Sequence, residues 1–268
     1  MTLTKMDEPT IPVGASKYGG SPDLPAGFEW PTCVVRPGYK PEGARYPLTF
    51  VAQFNFAEAA SCLQEDPIWP SDGVLAIFFD GVCSPSGQIP EEAPGLRLFY
   101  FPTAARLQRT PAPQGQLPTP SNASKVSLQP RLIQFAPAWS VPGEESLELM
   151  RGGKEVKIRW SERNEDGEPP ECRHRLGGFA LPEQYDPREG CRDRTAAWVK
   201  TGTRASGDRQ PPRPVEVDGP WRLLVQFDFS ADPEIACAYE GTQFYVCVSR
   251  ESIRSKSFAA AWWEWDQD

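Results

Sequence analysis

Apolar and polar positions alternate most clearly in two short stretches, FVAQFNF at Phe50–Phe56 and LLVQFDF at Leu223–Phe229. A period of two marks a half-buried β-strand. In the first, Phe50, Ala52, Phe54 and Phe56 fall on one face and Val51, Gln53 and Asn55 on the other. In the second, Leu223, Val225, Phe227 and Phe229 oppose Leu224, Gln226 and Asp228. Asn55 and Glu58 have N-cap and N3 spacing, which predicts a short helix over FAEAASCL. Asp72-Gly73 and Glu240-Gly241 predict turns into the strands of DGVLAIFF and EGTQFYVC. GLRLFYF, Gly95–Phe101, reads as a further strand closed by Pro102. Ser249 predicts the cap of a last helix in which Phe258, Trp262 and Trp265 recur at i, i+4, i+7. That stripe faces a core, and Trp263 falls off it.

The two Gln-bearing strands head matching blocks. Upstream lie KYGGSPDLP and HRLGGFALP, each with Gly-Gly followed by Leu-Pro. Downstream, the acidic-Gly turns follow 19 residues after Gln53 and 14 after Gln226. Three blocks in the same order predict an internal duplication. The expected fold is α+β: two mainly antiparallel-sheet units with short helices, packed into one compact body. The units span about residues 12–102 and 172–265 of a single 1–268 domain, joined by a Pro-rich segment at 103–145. Residues 102–142 hold eight Pro, which favours irregular chain, with one strand expected in RLIQFAPAW. ASGDRQPPRPVEVDGP, Ala205–Pro220, reads as a second irregular excursion.

Composition narrows the function. With 39% hydrophobic residues, 268 positions bury roughly 70–75% of the unfolded surface, so a packed core is expected. The net charge of -8 argues against nucleic acid and acidic membranes as partners. From Arg173 to Arg213 nine Lys/Arg face five Asp/Glu, so that stretch is +4 and the rest -12. No apolar run reaches ~18 residues and the N-terminus lacks a signal-peptide pattern, so a cytoplasmic protein is expected. Seven Cys without CxxC fit buried thiols in a reducing compartment.

The candidate chemistry is sparse. Gln53 and Gln226 carry two readings: ties from strand to neighbouring backbone, or the lining of a polar cleft between the units. His174, the only histidine, joins them as a cleft candidate. Cys172, His174 and Cys191 are a conceivable zinc set, but their spacing fits no standard site, and a Cys-His nucleophile pair is weaker still. Gly19-Gly20 and Gly177-Gly178 lack the pattern of phosphate loops and suit positive-φ turns. The pairs Glu91-Glu92 and Glu144-Glu145 sit beside Pro or Gly and are poor catalytic dyads, and GxSxG is absent. No catalytic residue, metal or cofactor is expected.

SKYGGSPDLPAGFEWP, PLTFVAQFNFAE, DGVLAIFFD, HRLGG, WRLLVQFDF and FAAAWWEW resemble, in that order, the YwqG-like family, a bacterial domain of unknown function. The resemblance spans nearly the whole chain and departs in the long Pro/Gln-rich middle and in GFALPEQ. It implies a duplicated α+β fold and brings no catalytic residue. Members are often encoded near polymorphic-toxin loci, which implies immunity or regulation by protein contact. The leading expectation is therefore a non-enzymatic protein that binds another protein, in its specific form an immunity protein against a basic toxin. Trp263 is the candidate anchor for that partner. The alternative is an enzyme or small-ligand binder with its site between the repeats. The oligomeric state is not legible.

Overall fold

In the computed structural model, residues 1–35, 43–63, 66–103, 105–114, 128–138, 140, 174–182, 185–201, 220–229, 233–237 and 242–267 are described. Cys172, Glu144-Glu145, Glu240-Gly241, residues 115–127 and 141–145 of the Pro-rich segment and nearly all of the 205–220 excursion lie outside them.

The first sheet has six strands in the order β1 (Thr2–Lys5), β10 (Arg131–Gln134), β2 (Lys17–Tyr18), β6 (Thr49–Asn55), β7 (Val74–Phe79) and β8 (Leu96–Phe101). The second has four: β11 (Arg175–Leu176), β12 (Trp221–Asp228), β13 (Thr242–Ser249) and β14 (Trp262–Gln267). All of these pairings are antiparallel. Two small ladders, β3 (Asp23–Pro25) with β9 (Leu107–Arg109) and β4 (Thr32–Val34) with β5 (Arg45–Pro47), complete the strands. With helices α1 (Phe56–Leu63), α2 (Pro187–Thr201) and α3 (Arg250–Arg254), the fold is α+β.

The sheets pack face to face through aromatic side chains. Phe54 stacks on Phe227 at 6.3 Å, Tyr18 meets Phe227 edge-on at 5.0 Å, and Phe79 touches Phe244, Trp263 and Trp265. Such pairs add to the burial of area itself. A second cluster covers the outer face of the first sheet, where Leu24, Val35, Tyr46 and Leu48 pack against Phe50, Ala76, Phe78 and Phe101. Helix α2 covers the outer face of the second sheet, with Trp198 against Trp262.

Strands β2-β6-β7-β8 and β11-β12-β13-β14 correspond residue by residue. Lys17 pairs with Gln53 as Arg175 pairs with Gln226. The Gly19 amide donates to the Val51 carbonyl as the Gly177 amide does to that of Leu224. Both ladders carry a bulge at the same place, between Phe50 and Ala52 and between Leu223 and Val225. The bulge corrects the sequence-based face assignment. It sends Phe50 into the outer cluster and Val51 into the inter-sheet core, while Ala52, Phe54 and Phe56 keep the inner face.

The C-terminus differs from expectation. Ser249 does cap a helix, its Oγ accepting from the Ser252 amide at 3.0 Å, but α3 stops at Arg254. Trp262–Gln267 is the strand β14, paired along its length with β13. Aromatic residues favour strands, and the period that governs Trp262 to Trp265 is two. Trp263 and Trp265 therefore point into the inter-sheet core, and Trp263 is fully buried. The expected exposed anchor at Trp263 is a core residue.

Candidate functional site

Gln53 and Gln226 are built into the same local device. Each side-chain oxygen accepts the backbone amide four residues beyond the first Gly of its Gly-Gly turn: Asp23 at 2.8 Å and Leu181 at 3.0 Å. The cation two residues before that Gly bridges the turn, Lys17 to the Ser21 carbonyl and Arg175 to that of Phe179. The glycines have φ of 64 and 67° in the first turn and 70 and 75° in the second, values that disfavour side chains. The Gln pair thus ties strands to turns. Because Phe54 and Phe227 meet each other between the sheets, the alternating Gln side chains face opposite outer sides of the molecule. The structure does not bring them into one cleft.

His174 is on the inner side, its ring 6.1 Å from Phe227, and its Nδ1 accepts the Asp228 amide at 3.1 Å. Cys191 is buried behind the second sheet, where its thiol meets Cys247, so it does not join His174. Among the described residues no group of three or more His, Cys, Asp or Glu is placed to hold a metal ion.

Around Gln53 the polar network is closed. Asp23 accepts from Arg109 Nε at 2.6 Å, the Gly14 amide at 2.9 Å and Gln53 Nε2 at 2.8 Å. Burial opposes its charge, yet these donors hold its carboxyl below the ordinary range. Burial pulls Lys17 down to about 8, with Asp23 resisting the shift.

Around Gln226 the polar surface extends across the whole sheet. Cross-strand register places Gln226, Tyr245 and Glu264 in one row on the outer face, and Asp228, Gln243 and Asp266 in the next. All six are buried. The equivalent rows of the first sheet run Gln53, Ala76, Phe99 and Asn55, Val74, Phe101. One backbone frame thus carries apolar side chains at four positions in the first sheet and Tyr, Glu, Gln and Asp in the second.

Gln226 Nε2 donates to Gln243 Oε1 at 2.7 Å, and the Tyr245 hydroxyl bonds Gln243 Oε1 at 2.6 Å and the Leu181 carbonyl at 2.9 Å. Glu264 is the junction with the surface. Its carboxylate accepts from Arg194, from Gln88 Nε2 at 3.3 Å and from the Tyr185 hydroxyl at 3.4 Å. Gly190 lets α2 come this close, since a Cβ there would strike Glu264 and Arg194. Burial pushes the Glu264 carboxyl up to about 7 in spite of the Arg194 guanidinium. The arrangement can hold hydrogen-bond donors and cations.

Of the expected site residues, Gln226 alone belongs to this face, and Glu264, Asp266, Gln243 and Tyr245 were missed. The signal was present but out of register. Setting Gly73 on Gly241 aligns Gln243 with Leu75, an inner position, whereas the ladders align it with Val74. A one-residue slip reverses every face.

A family model described as "Domain of unknown function (DUF1963)" matches residues 16–266. No curated protein matches the chain.

Proposed function

The chain belongs to this family of unknown function, and from that premise, with no activity to inherit, we propose that it is a non-enzymatic binding protein whose site is the polar outer face of the second sheet. The observation that carries this reading is the contrast between equivalent positions. The first sheet places Val74, Ala76, Phe99 and Phe101 at these positions, the last three in or against its outer apolar cluster, while the second places Gln243, Tyr245, Glu264 and Asp266 there. Burying carboxylates costs stability, and the first sheet supports the same frame without them. Acceptors dominate the face, so the ligand is rich in donors and carries positive charge. Arg194, already seated on Glu264 and Gln88, supports the fit of a guanidinium. The same reading takes the paired sheets as an internal duplication, the chain as YwqG-like within its family, and the protein as cytoplasmic.

Thermal-shift titration with L-arginine and with spermidine tests the proposal. A rise in Tm with either probe that disappears in Asp266→Asn supports it. A second reading, a protein partner and in particular a basic toxin neutralised by an immunity protein, draws on the exposed apolar side chains of Ile89 (49%) and Tyr185 (41%) at the rim. Silence of both probes, with partner capture that Ile89→Ser and Tyr185→Ser abolish, would favour that reading instead.

A further inference from the structure

Three segments converge on the carboxylate of Glu264, and every side chain they present to it is a donor. Helix α2 sends Arg194, the approach to that helix sends the Tyr185 hydroxyl, and the loop before Pro90 sends Gln88 Nε2. Arg194 also reaches across to the loop, through Nη2 to Gln88 Oε1 and through Nε to the Gln88 carbonyl at 3.3 Å. The carboxylate thus clasps helix and loop to strand β14. A carboxylate only accepts; a protonated carboxyl adds a donor hydrogen to a shell made of donors. One contact must then give way. Gln88 and Tyr185 are neutral, whereas Arg194 loses the charge that draws it inward, and its side chain is already 23% exposed to water.

We propose that Glu264 is a proton-operated latch: ionised, it locks the first turns of α2 to β14 and the Gln88 loop, and on taking a proton from solvent it lets Arg194 and that part of the helix go. This device goes beyond any ligand of the polar face and does not depend on one. The loop itself stays in place, because indole N–H groups of Trp262, Trp263 and Trp265 donate to the carbonyls of Gly87 and Pro85.

The surroundings leave Glu264 as the group poised to change state. Burial brings its carboxyl to about 7. Tyr185 is pushed upward by burial and then by Glu264, and Cys191 by burial and then by Cys247, so both stay neutral below pH 8. Asp266 lies two residues on along the same strand and Tyr245 directly opposite on β13. Arg188 is engaged by Asp186 at 2.6 Å, and Glu92 is occupied by the Gly87 amide at 2.6 Å and the Ser86 hydroxyl at 3.0 Å.

Hydrogen–deuterium exchange of the full chain at pH 8.0 and pH 5.5, corrected for intrinsic rates, tests the latch. Protection of residues 187–198 should fall about tenfold at the lower pH, while that of residues 85–89 stays constant. In Glu264→Gln, whose amide adds donors to the same shell, the helix should be weakly protected at both values. Should that variant fail to fold, Arg194→Gln should show the same low, pH-independent protection. Equal helix protection at both pH values in the wild type, or an unchanged pH response in either variant, overturns the proposal.

Discussion

The Gln inside each apolar strand was legible in the sequence, and so was one of its two readings. What each Gln does follows from a partner 30 or 45 residues away, Asp23 for Gln53 and Leu181 for Gln226. No local pattern announces such a partner. Glu264 was hidden for a related reason: a helical stripe of Phe258, Trp262 and Trp265 leaves it off the apolar face, and only cross-strand pairing with Tyr245 puts it in the interior. Its consequence for stability has a definite sign. The folded carboxyl titrates near 7 against an ordinary 4.5, so between these values the folded protein binds more protons than the unfolded chain. Its contribution to stability is full below pH 4.5 and is lost as pH rises through 7. A second residue makes an independent prediction. Thr195 is fully buried on α2 and, among the described residues, its hydroxyl has no hydrogen-bond partner. Thr195→Val keeps the shape and removes the unsatisfied group, so urea unfolding should show a gain of about 1 kcal/mol.

Strands were read well wherever alternation was strong. The predicted strands at 50–56, 74–79, 95–101 and 223–229 exist to within two residues, as does the helix over FAEAASCL. Asn55 caps that helix by accepting the Ala57 amide at 3.0 Å, but Glu58 bonds the Ser16 amide instead of closing a capping box. Misreadings came where periods of two and 3.6 compete over few residues. FAAAWWEW matches a helical stripe at three positions, and pairing with β13 decides for the strand. The bulges were invisible because an extra residue has no signature beyond the faces it exchanges. The strand pair across the core can be tested directly. Phe54→Ala and Phe227→Ala should each cost about 3–5 kcal/mol. Because the rings touch, the double variant should cost less than the sum by about 1 kcal/mol in equilibrium unfolding. Strict additivity would separate the two rings.

At the scale of the molecule, two four-stranded frames face each other through their aromatic sides, and Phe54 and Phe227, which hold equivalent positions, meet between them. Among the described residues no helix is long and apolar enough to cross a membrane. The frames diverge on their outer faces: two short ladders and apolar packing on one, helix α2 over buried polar rows on the other. Under the proposed function these polar rows serve binding and cost the fold stability. If the fold as a whole instead depended on the Glu264–Arg194 pair, deleting the Glu264 charge would strand Arg194 and cost about 3–5 kcal/mol. Arg194 is partly exposed and can turn to water. Urea unfolding of wild type and Glu264→Gln at pH 8 decides between them. The proposed role predicts a variant at least as stable as wild type, by up to about 2 kcal/mol, and lacking the part of the pH dependence between 5 and 8 that Glu264 gives the wild type. A loss of more than about 2 kcal/mol at pH 8 would contradict it.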